Sequence, residues 1–182
     1  MELWLVGYGA WPVAKRAGGL VETLRSRGVT RLVDIRLSPC SSDPVPGRPY
    51  GPKPWTLQAG TAGIAGLMAE AGVGYTWLVE LGNPQRQDHS MSVLRAQLDD
   101  TSTDWPIHRG LDRLAEMIRR GDDILALLCA CPDGRSCHRT VVAEALNARH
   151  FGGGLEPREV VSGLKGQARG GPPPTSRTRR SR

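Results

Sequence analysis

The feature that most constrains the fold is an uninterrupted apolar run, Ile124–Cys129 (ILALLC). A run of this length followed by turn residues is typical of a strand rather than a helix. Because no polar residue alternates with the apolar ones, both faces of the strand must be covered, as in a sheet with helices on each side. The run therefore predicts a central strand in an α/β domain.

Other apolar runs alternate with helical patterns from the first residue. Strands are predicted over residues 2–7, 31–36, 73–78 and 158–162, and helices over residues 15–27, 61–71, 109–120 and 137–149, with a helical turn around 92–98. Strands separated by helices of this size imply right-handed crossovers. We therefore predict an α/β fold with a mainly parallel sheet flanked by helices.

Two segments do not fit regular structure. Residues 37–60 contain six prolines and are predicted to form a long loop, which could be a lid or an interface. Residues 165–182 contain six basic residues, no acidic residue and no large apolar side chain. Because this tail buries nothing, we predict a single domain over residues 1–164 and a disordered, Arg-rich tail over residues 165–182.

The charge of the chain resides in the tail. Six of the 24 Lys and Arg residues but none of the 18 Asp and Glu residues lie there, which leaves residues 1–164 with a formal net charge of zero. Such a tail is able to bind nucleic acid or an acidic surface by counterion release, although biased composition alone also produces Arg-rich tails. The composition of the domain itself does not indicate a nucleic-acid-binding face.

The predicted compartment is the cytoplasm. No segment approaches the roughly 18 consecutive apolar residues of a membrane span, and the N-terminus lacks the pattern of a secretory signal. Cys129, Cys131 and Cys137 lie within nine positions, and Cys40 is distant. In a reducing compartment such clustering indicates thiol chemistry or metal binding rather than structural disulfides.

The candidate site follows the central strand. A turn rich in Pro, Asp and Gly leads into a helix for which Ser136 is the predicted N-cap. The free amides that open such a helix are able to hold an anion. A thiol at that position, beside His138 and Arg139, is expected to ionise readily, which makes Cys137 the candidate nucleophile or redox thiol. Cys129 is then a resolving thiol or a buried packing residue.

Further unusual residues follow the other strands. Tyr8 comes after the first strand, and Asp34 and Arg36 end the second. Ligands of parallel sheets bind outside the carboxyl ends of the strands, so these residues are predicted to line the same pocket. Asp34 and Arg36 also fit a structural ion pair, because residues i and i+2 share one face of a strand.

The motif in which an apolar strand ends in Cys, followed after seven residues by Cys137-His138-Arg139, resembles domain-of-unknown-function family 488 (DUF488). The segment Leu32–Arg36 and the pair Leu81-Gly82 with Tyr75 are also similar to that family, although Gly7-Tyr8-Gly9 departs from its usual Gly-His-Ser. The resemblance implies an α/β fold. It also implies that Asp34, Arg36, Cys129, Cys137, His138 and Arg139 are site residues, without naming a reaction.

Three other interpretations remain open. The spacing Cys129-x5-Arg135 followed by Ser136 is that of phosphatase and rhodanese loops, in which loop amides and Arg bind an oxyanion. Cys129, Cys131, Cys137 and His138 suffice in number for zinc, although adjacent residues at a helix start rarely converge on one ion. A non-catalytic module that binds nucleic acid or protein through the pocket and the tail is the third.

The sequence thus predicts a pocket that binds a small anionic ligand, phosphate-bearing or nucleotide-like. The predicted ligand-binding residues are Arg36, Arg139, Ser136, Tyr8 and Arg135, and the predicted catalytic residues are Cys137, Cys129, His138 and Asp34. Any chemistry would use a thiolate at Cys137 or Cys129, with His138 as acid or base and Asp34 as the orienting carboxylate. The sequence leads us to assign neither a cofactor nor a metal, and whether the protein is an enzyme stays open.

Overall fold

The structure, a computed structural model, describes residues 1–37, 63–85 and 90–160. The strands found there are β1 (Glu2–Gly7), β2 (Arg31–Asp34), β3 (Gly74–Trp77), β4 (Leu125–Cys129) and β5 (Glu156–Glu159). They form one sheet in the order β3-β2-β4-β1-β5, and every neighbouring pair is parallel. The predicted α/β fold with a parallel sheet is confirmed.

The α-helices of the described residues alternate with these strands. They are α1 (Arg16–Ser26), α2 (Ile64–Ala71), α3 (Ser92–Asp99), α4 (Pro106–Arg120) and α5 (His138–Leu146), and α5 continues as a π-helical turn, Asn147–Phe151. Short 3-10 turns occur at Tyr8–Ala10, Val13–Lys15 and Val79–Leu81. No helix in the described ranges is long and apolar enough to cross a membrane.

Each face of the sheet has its own hydrophobic core. Ala126 and Leu128 of β4 pack in the cluster that contains α1 and α2, whereas Leu125 and Leu127 pack in the cluster that contains α3, α4 and α5. All four side chains are at most 2% exposed. The continuous apolar run in the sequence is therefore explained by a central strand that is buried on both sides.

Several boundaries differ from the predictions, and three of them concern α4, β5 and β4. Helix α4 begins at Pro106 rather than Arg109, because proline is well tolerated in the first turn, where its missing N–H is not needed. Strand β5 covers Glu156–Glu159 rather than 158–162, an exposed edge strand that carries Pro157 and gives no hydrophobic alternation. Ile124 precedes β4 and is 45% exposed.

The connections between strands change direction across the sheet at β4. The helices that follow β1 and β2 cover one face of the sheet, and α5, which follows β4, covers the other. Because β4 lies between β1 and β2, its carboxyl end is at a topological switch point, where parallel sheets form their ligand crevices. The Pro-rich segment of residues 38–60 and the tail of residues 165–182 lie outside the described residues.

Candidate functional site

The loop after β4 is fastened to the end of β1. Cys129, the last residue of β4, pairs with Gly7 of β1, and the next carbonyl, that of Ala130, accepts a hydrogen bond of 3.1 Å from Gly9 N. The loop then closes on itself, because Gly134 O accepts bonds from Cys137 N at 3.1 Å and from Thr140 Oγ1 at 2.7 Å. These bonds return the chain to the position where α5 begins.

This closed loop brings three thiols together. The Sγ atom of Cys129 lies 3.1 Å from that of Cys137 and 3.6 Å from that of Cys131, and all three sulfurs lie within 4.8 Å of one another. Cys129 and Cys137 are 2% and 1% exposed, whereas Cys131 is partly exposed. The sulfurs thus form a compact cluster with one member toward solvent.

The His138 ring joins the cluster and connects it to β2. Its Nε2 lies 2.9 Å from the carbonyl oxygen of Ile35, and since a carbonyl only accepts, Nε2 carries the proton. The other nitrogen, Nδ1, is then an acceptor and lies 3.5 Å from Cys129 Sγ and 3.9 Å from Cys137 Sγ. Three sulfurs and one imidazole lone pair therefore converge at the end of β4.

Arg139 turns away from β2 toward the other side of β4. Its side chain is fully buried, donates two bonds to the Glu159 carboxylate and donates one of 2.9 Å to Cys131 O. A further contact of 3.3 Å joins Nη1 to Cys137 Sγ. Arg139 thus fixes the loop against β5 and places a positive charge beside the sulfurs.

Asp34 and Arg36 form a buried ion pair on the β2 side. The guanidinium Nε and Nη2 donate to the Asp34 carboxylate at distances of 2.5 to 3.1 Å, and Tyr75 OH donates to Asp34 Oδ2 at 2.7 Å. Asp34 is 0% and Arg36 3% exposed. The structural ion pair that the i, i+2 spacing suggested is present, and the pair lies on the opposite side of β4 from Arg139.

The third guanidinium nitrogen of Arg36, Nη1, does not donate to Asp34. Nη1 is buried and has no hydrogen-bond partner within the part of the chain that the structure describes. The guanidinium carbon of Arg36 lies 5.4 Å from the centroid of the Tyr8 ring, and that of Arg16 lies 5.7 Å from the same centroid. Tyr8 therefore has two guanidinium groups against its ring.

Two predicted residues are placed elsewhere. The N-cap of α5 is Cys137 and not Ser136, because Cys137 has extended backbone angles (φ −126°, ψ 142°) and Ser136 lies one residue earlier, exposed in the loop. The Arg135 side chain is 93% exposed and paired with Asp133, whose carboxylate also accepts from Arg135 N. Arg135 therefore does not face Cys129, which removes the geometry of the Cys-x5-Arg interpretation.

The sulfurs perturb one another strongly. Hydrogen bonds from the thiols of Cys129 and Cys137 lower the pKa of Cys131, the most exposed of the three. The hydrogen bond with Cys131 raises the pKa of Cys129, and hydrogen bonds with Cys129 and Cys131 together with burial raise that of Cys137. These directions favour the thiolate at Cys131 and disfavour it at Cys137.

The cationic side chains keep their charge. Burial by itself lowers the pKa of Arg36 and of Arg139, but the hydrogen bonds to Asp34 and Glu159 outweigh it and raise both values. Burial also lowers the pKa of His138, and hydrogen bonding and charge interaction with Cys137 raise it overall. Each of the two buried guanidinium groups at the site therefore has a carboxylate partner.

The model of the family described as domain of unknown function DUF488 matches residues 55–146, half of the chain. The chain belongs to this family. The DUF488 match contains all three clustered cysteines together with His138 and Arg139, and it begins after Asp34 and Arg36. No curated protein and no solved structure matches the chain.

The candidate site residues chosen from the sequence did not include Arg16, Glu159 or Cys131. Arg16 opens α1 and gave no signal beyond its charge, and Glu159 lies in an exposed edge strand without hydrophobic alternation. Cys131 entered only the zinc interpretation, although its spacing of two residues from Cys129 at the end of a buried strand was visible. Because strand neighbours i and i+2 share a face, that spacing was the available signal.

Proposed function

We propose that this domain binds a small phosphate-bearing anion at the carboxyl ends of β1 and β2, between Arg16 and Arg36 and beside Tyr8. The observation that carries the proposal is the Arg36 Nη1 group, a buried donor without a partner among the described residues. A buried donor left unsatisfied costs about 1–3 kcal/mol, and more when it is charged. An oxyanion that accepts from Nη1 would remove this cost.

The local charge supports an anion rather than a neutral ligand. Asp34 balances one guanidinium, that of Arg36, and Arg16 adds a second against the same Tyr8 ring. Arg16 is also the first residue of α1, where the helix dipole presents its positive end. The surplus of positive charge and the planar fork of arginine both suit the oxygens of a phosphate group.

The contacts of the other predicted residues favour binding over thiol catalysis. Cys129 and Cys137 are nearly inaccessible, and the Nε2 proton of His138 is held by Ile35 O. Asp34 is occupied by Arg36 and Tyr75 and does not orient the imidazole. The roles of nucleophile, acid or base and orienting carboxylate therefore gain no support from these contacts.

The test is ligand-dependent stability of the full chain with inorganic phosphate, pyrophosphate and adenosine monophosphate as separate probes. Binding at one site stabilises the native state by about 2.7 kcal/mol when the free probe is at 100 times its dissociation constant. Arg16→Gln is expected to weaken the tightest probe about tenfold or more, because a charge-assisted hydrogen bond contributes about 1.5–3 kcal/mol. Isothermal titration calorimetry measures that change.

Arg25→Gln is the matched control. Arg25 lies on the same helix and is exposed, so its substitution removes the same charge without touching Tyr8. We expect this variant to bind the probe as the unsubstituted chain does. Equal losses in the two variants would mean that general electrostatics is being measured, and no stabilisation by any of the three probes would refute the proposed anion site.

A further inference from the structure

We infer that Cys129 Sγ, Cys131 Sγ, Cys137 Sγ and His138 Nδ1 form a tetrahedral site for one zinc ion. None of these residues belongs to the proposed anion site, so the two proposals stand on separate contacts. The sequence had offered zinc as one of three alternatives and counted the adjacency of Cys137 and His138 against it. The structure brings the donor atoms of both residues to the same cluster.

Three of the six donor separations lie close to the edges of a zinc tetrahedron, and the separation between Cys129 Sγ and Cys137 Sγ is shorter than such an edge. Zinc–sulfur bonds of about 2.3 Å and zinc–nitrogen bonds of about 2.0–2.1 Å require edges of about 3.8 Å between sulfurs and about 3.6 Å between sulfur and nitrogen. The sulfur–sulfur separations are 3.1 and 3.6 Å from Cys129, and the third edge is within 4.8 Å. The nitrogen–sulfur separations are 3.5 and 3.9 Å. Shifts of a few tenths of an ångström in most of these separations would centre an ion.

The hydrogen bond of the imidazole supports a ligand role. Histidines that bind metals almost always donate their second ring N–H to a carboxylate or a backbone carbonyl, which fixes the tautomer. His138 donates Nε2–H to Ile35 O and directs the Nδ1 lone pair toward the sulfurs. His138 thus presents its unprotonated nitrogen to Cys129 Sγ and Cys137 Sγ, which is the orientation that a ligating histidine needs.

The charge around the cluster suits a thiolate-rich site. Three thiolates and one divalent ion carry one net negative charge, and the buried Arg139 guanidinium lies 3.3 Å from Cys137 Sγ. Hydrogen bonds to ligating sulfurs are the usual way in which the surroundings of such sites stabilise that charge. Glu159 holds Arg139 in this position from the edge of the sheet.

Thiolate and imidazole ligands select zinc over magnesium or calcium, which prefer oxygen. Four protein donors with no open position are typical of a structural site rather than a catalytic one. The ion would join the end of β4, the loop after it and the start of α5, and through His138 it would connect them to β2. The inferred role is to hold the loop after the central strand in shape.

The first experiment measures metal content and coordination in the full chain. Protein purified without added metal or chelator is expected to contain one zinc per chain, as measured by inductively coupled plasma mass spectrometry. Replacement of zinc by cobalt is expected to give the intense visible bands of tetrahedral, thiolate-ligated cobalt. Titration of the unsubstituted chain with an organomercurial reagent should release the zinc as the three clustered thiols react.

Cys131→Ser and Cys40→Ser form a matched pair of variants. Cys131 is the partly exposed ligand, so the fold should tolerate its substitution best. We expect Cys131→Ser to weaken zinc binding more than tenfold, because loss of a residue that only hydrogen-bonds to a ligand already costs about 10–100-fold in affinity. Cys40→Ser removes a thiol distant in the sequence and is expected to keep one zinc per chain. Circular dichroism verifies that both variants are folded.

Three outcomes would overturn the inference. One is a chain that lacks zinc and binds cobalt without tetrahedral bands, and another is zinc that persists in Cys131→Ser but disappears in Cys40→Ser. The third is a disulfide between Cys129 and Cys137 as the state of the purified protein, detected by intact mass and by loss of two reactive thiols. The phosphate titration of Arg16→Gln does not depend on any of these results, so failure of one proposal is distinguishable from failure of the other.

Discussion

Gly7→Ala is expected to be among the most damaging single-methyl additions to this chain. A Cβ atom at Gly7 would lie 1.9 Å from Cys131 O and 2.6 Å from Arg139 Nη1. Cβ atoms essentially never lie within 3.0 Å of another heavy atom, so the backbone of the loop after β4 would have to move by roughly 1 Å or more. That movement would separate Cys131 O from the Arg139 donor that now lies at 2.9 Å.

The magnitude follows from two effects. Overpacking of a buried site costs about 1–3 kcal/mol, and loss of a hydrogen bond to a buried charged group costs about 1.5–3 kcal/mol. Together they predict a loss of roughly 3–5 kcal/mol, a large part of the 5–15 kcal/mol that stabilises a typical domain. The loop that carries Cys131 would also shift, so we expect the affinity for zinc to fall as well.

Urea unfolding followed by far-ultraviolet circular dichroism measures the free energy of unfolding. One series is run at a fixed zinc concentration and the other with a chelator, because bound ions raise the apparent stability by mass action. Gly18→Ala is the control. No heavy atom lies within 4 Å of a Cβ at Gly18 in α1, and replacing a helical glycine with alanine is expected to stabilise by up to about 1 kcal/mol. If the free energies of unfolding of Gly7→Ala and of the unsubstituted chain differ by less than about 0.5 kcal/mol, β1 and the loop do not approach each other as closely as described.

Two further predictions concern charged groups. Arg139→Met is expected to lower the free energy of unfolding by about 3 kcal/mol, the low end of the range for breaking a buried ion pair because the Glu159 side chain is 35% exposed. Arg135→Met is expected to leave the free energy of unfolding unchanged, because that side chain is 93% exposed, and parallel urea titrations compare the two variants. Deletion of residues 165–182 is expected to remove whatever RNA binding the full chain shows at low salt, since six basic residues lie there. Phosphate and zinc binding are expected to stay unchanged. Fluorescence anisotropy measures the first effect and calorimetry the second.

The fold was predictable where burial imposes a pattern. The apolar run of β4 identified the central strand because a strand covered on both faces has no place for polar residues, and its neighbours β1 and β2 showed the same tendency. The pattern was weakest at β5, whose four residues are all exposed and include a proline. Its place beside β1 is fixed by backbone hydrogen bonds, which residues of every type except proline are able to donate and which therefore leave little signal in the sequence.

The sequence predicted where the candidate site lies better than it predicted which side chains contact one another there. The rule that ligands gather at the carboxyl ends of parallel strands placed Tyr8, Arg36 and Cys129 near one another. It did not separate the two sides of β4, so Arg36 and Arg139 were expected to bind one ligand. The structure gives each arginine its own carboxylate, Asp34 on the β2 side and Glu159 on the β5 side.

The adjacency of Cys137 and His138 does not keep their side chains apart in the structure. Successive residues inside a helix point about 100° apart, so two neighbours seldom reach one ion. Cys137 is instead the N-cap, with extended backbone angles, and His138 is the first helical residue. The change of backbone conformation between them turns both side chains toward Cys129. The position of the N-cap at Cys137 rather than Ser136 therefore lets two adjacent residues contact the same sulfur, that of Cys129.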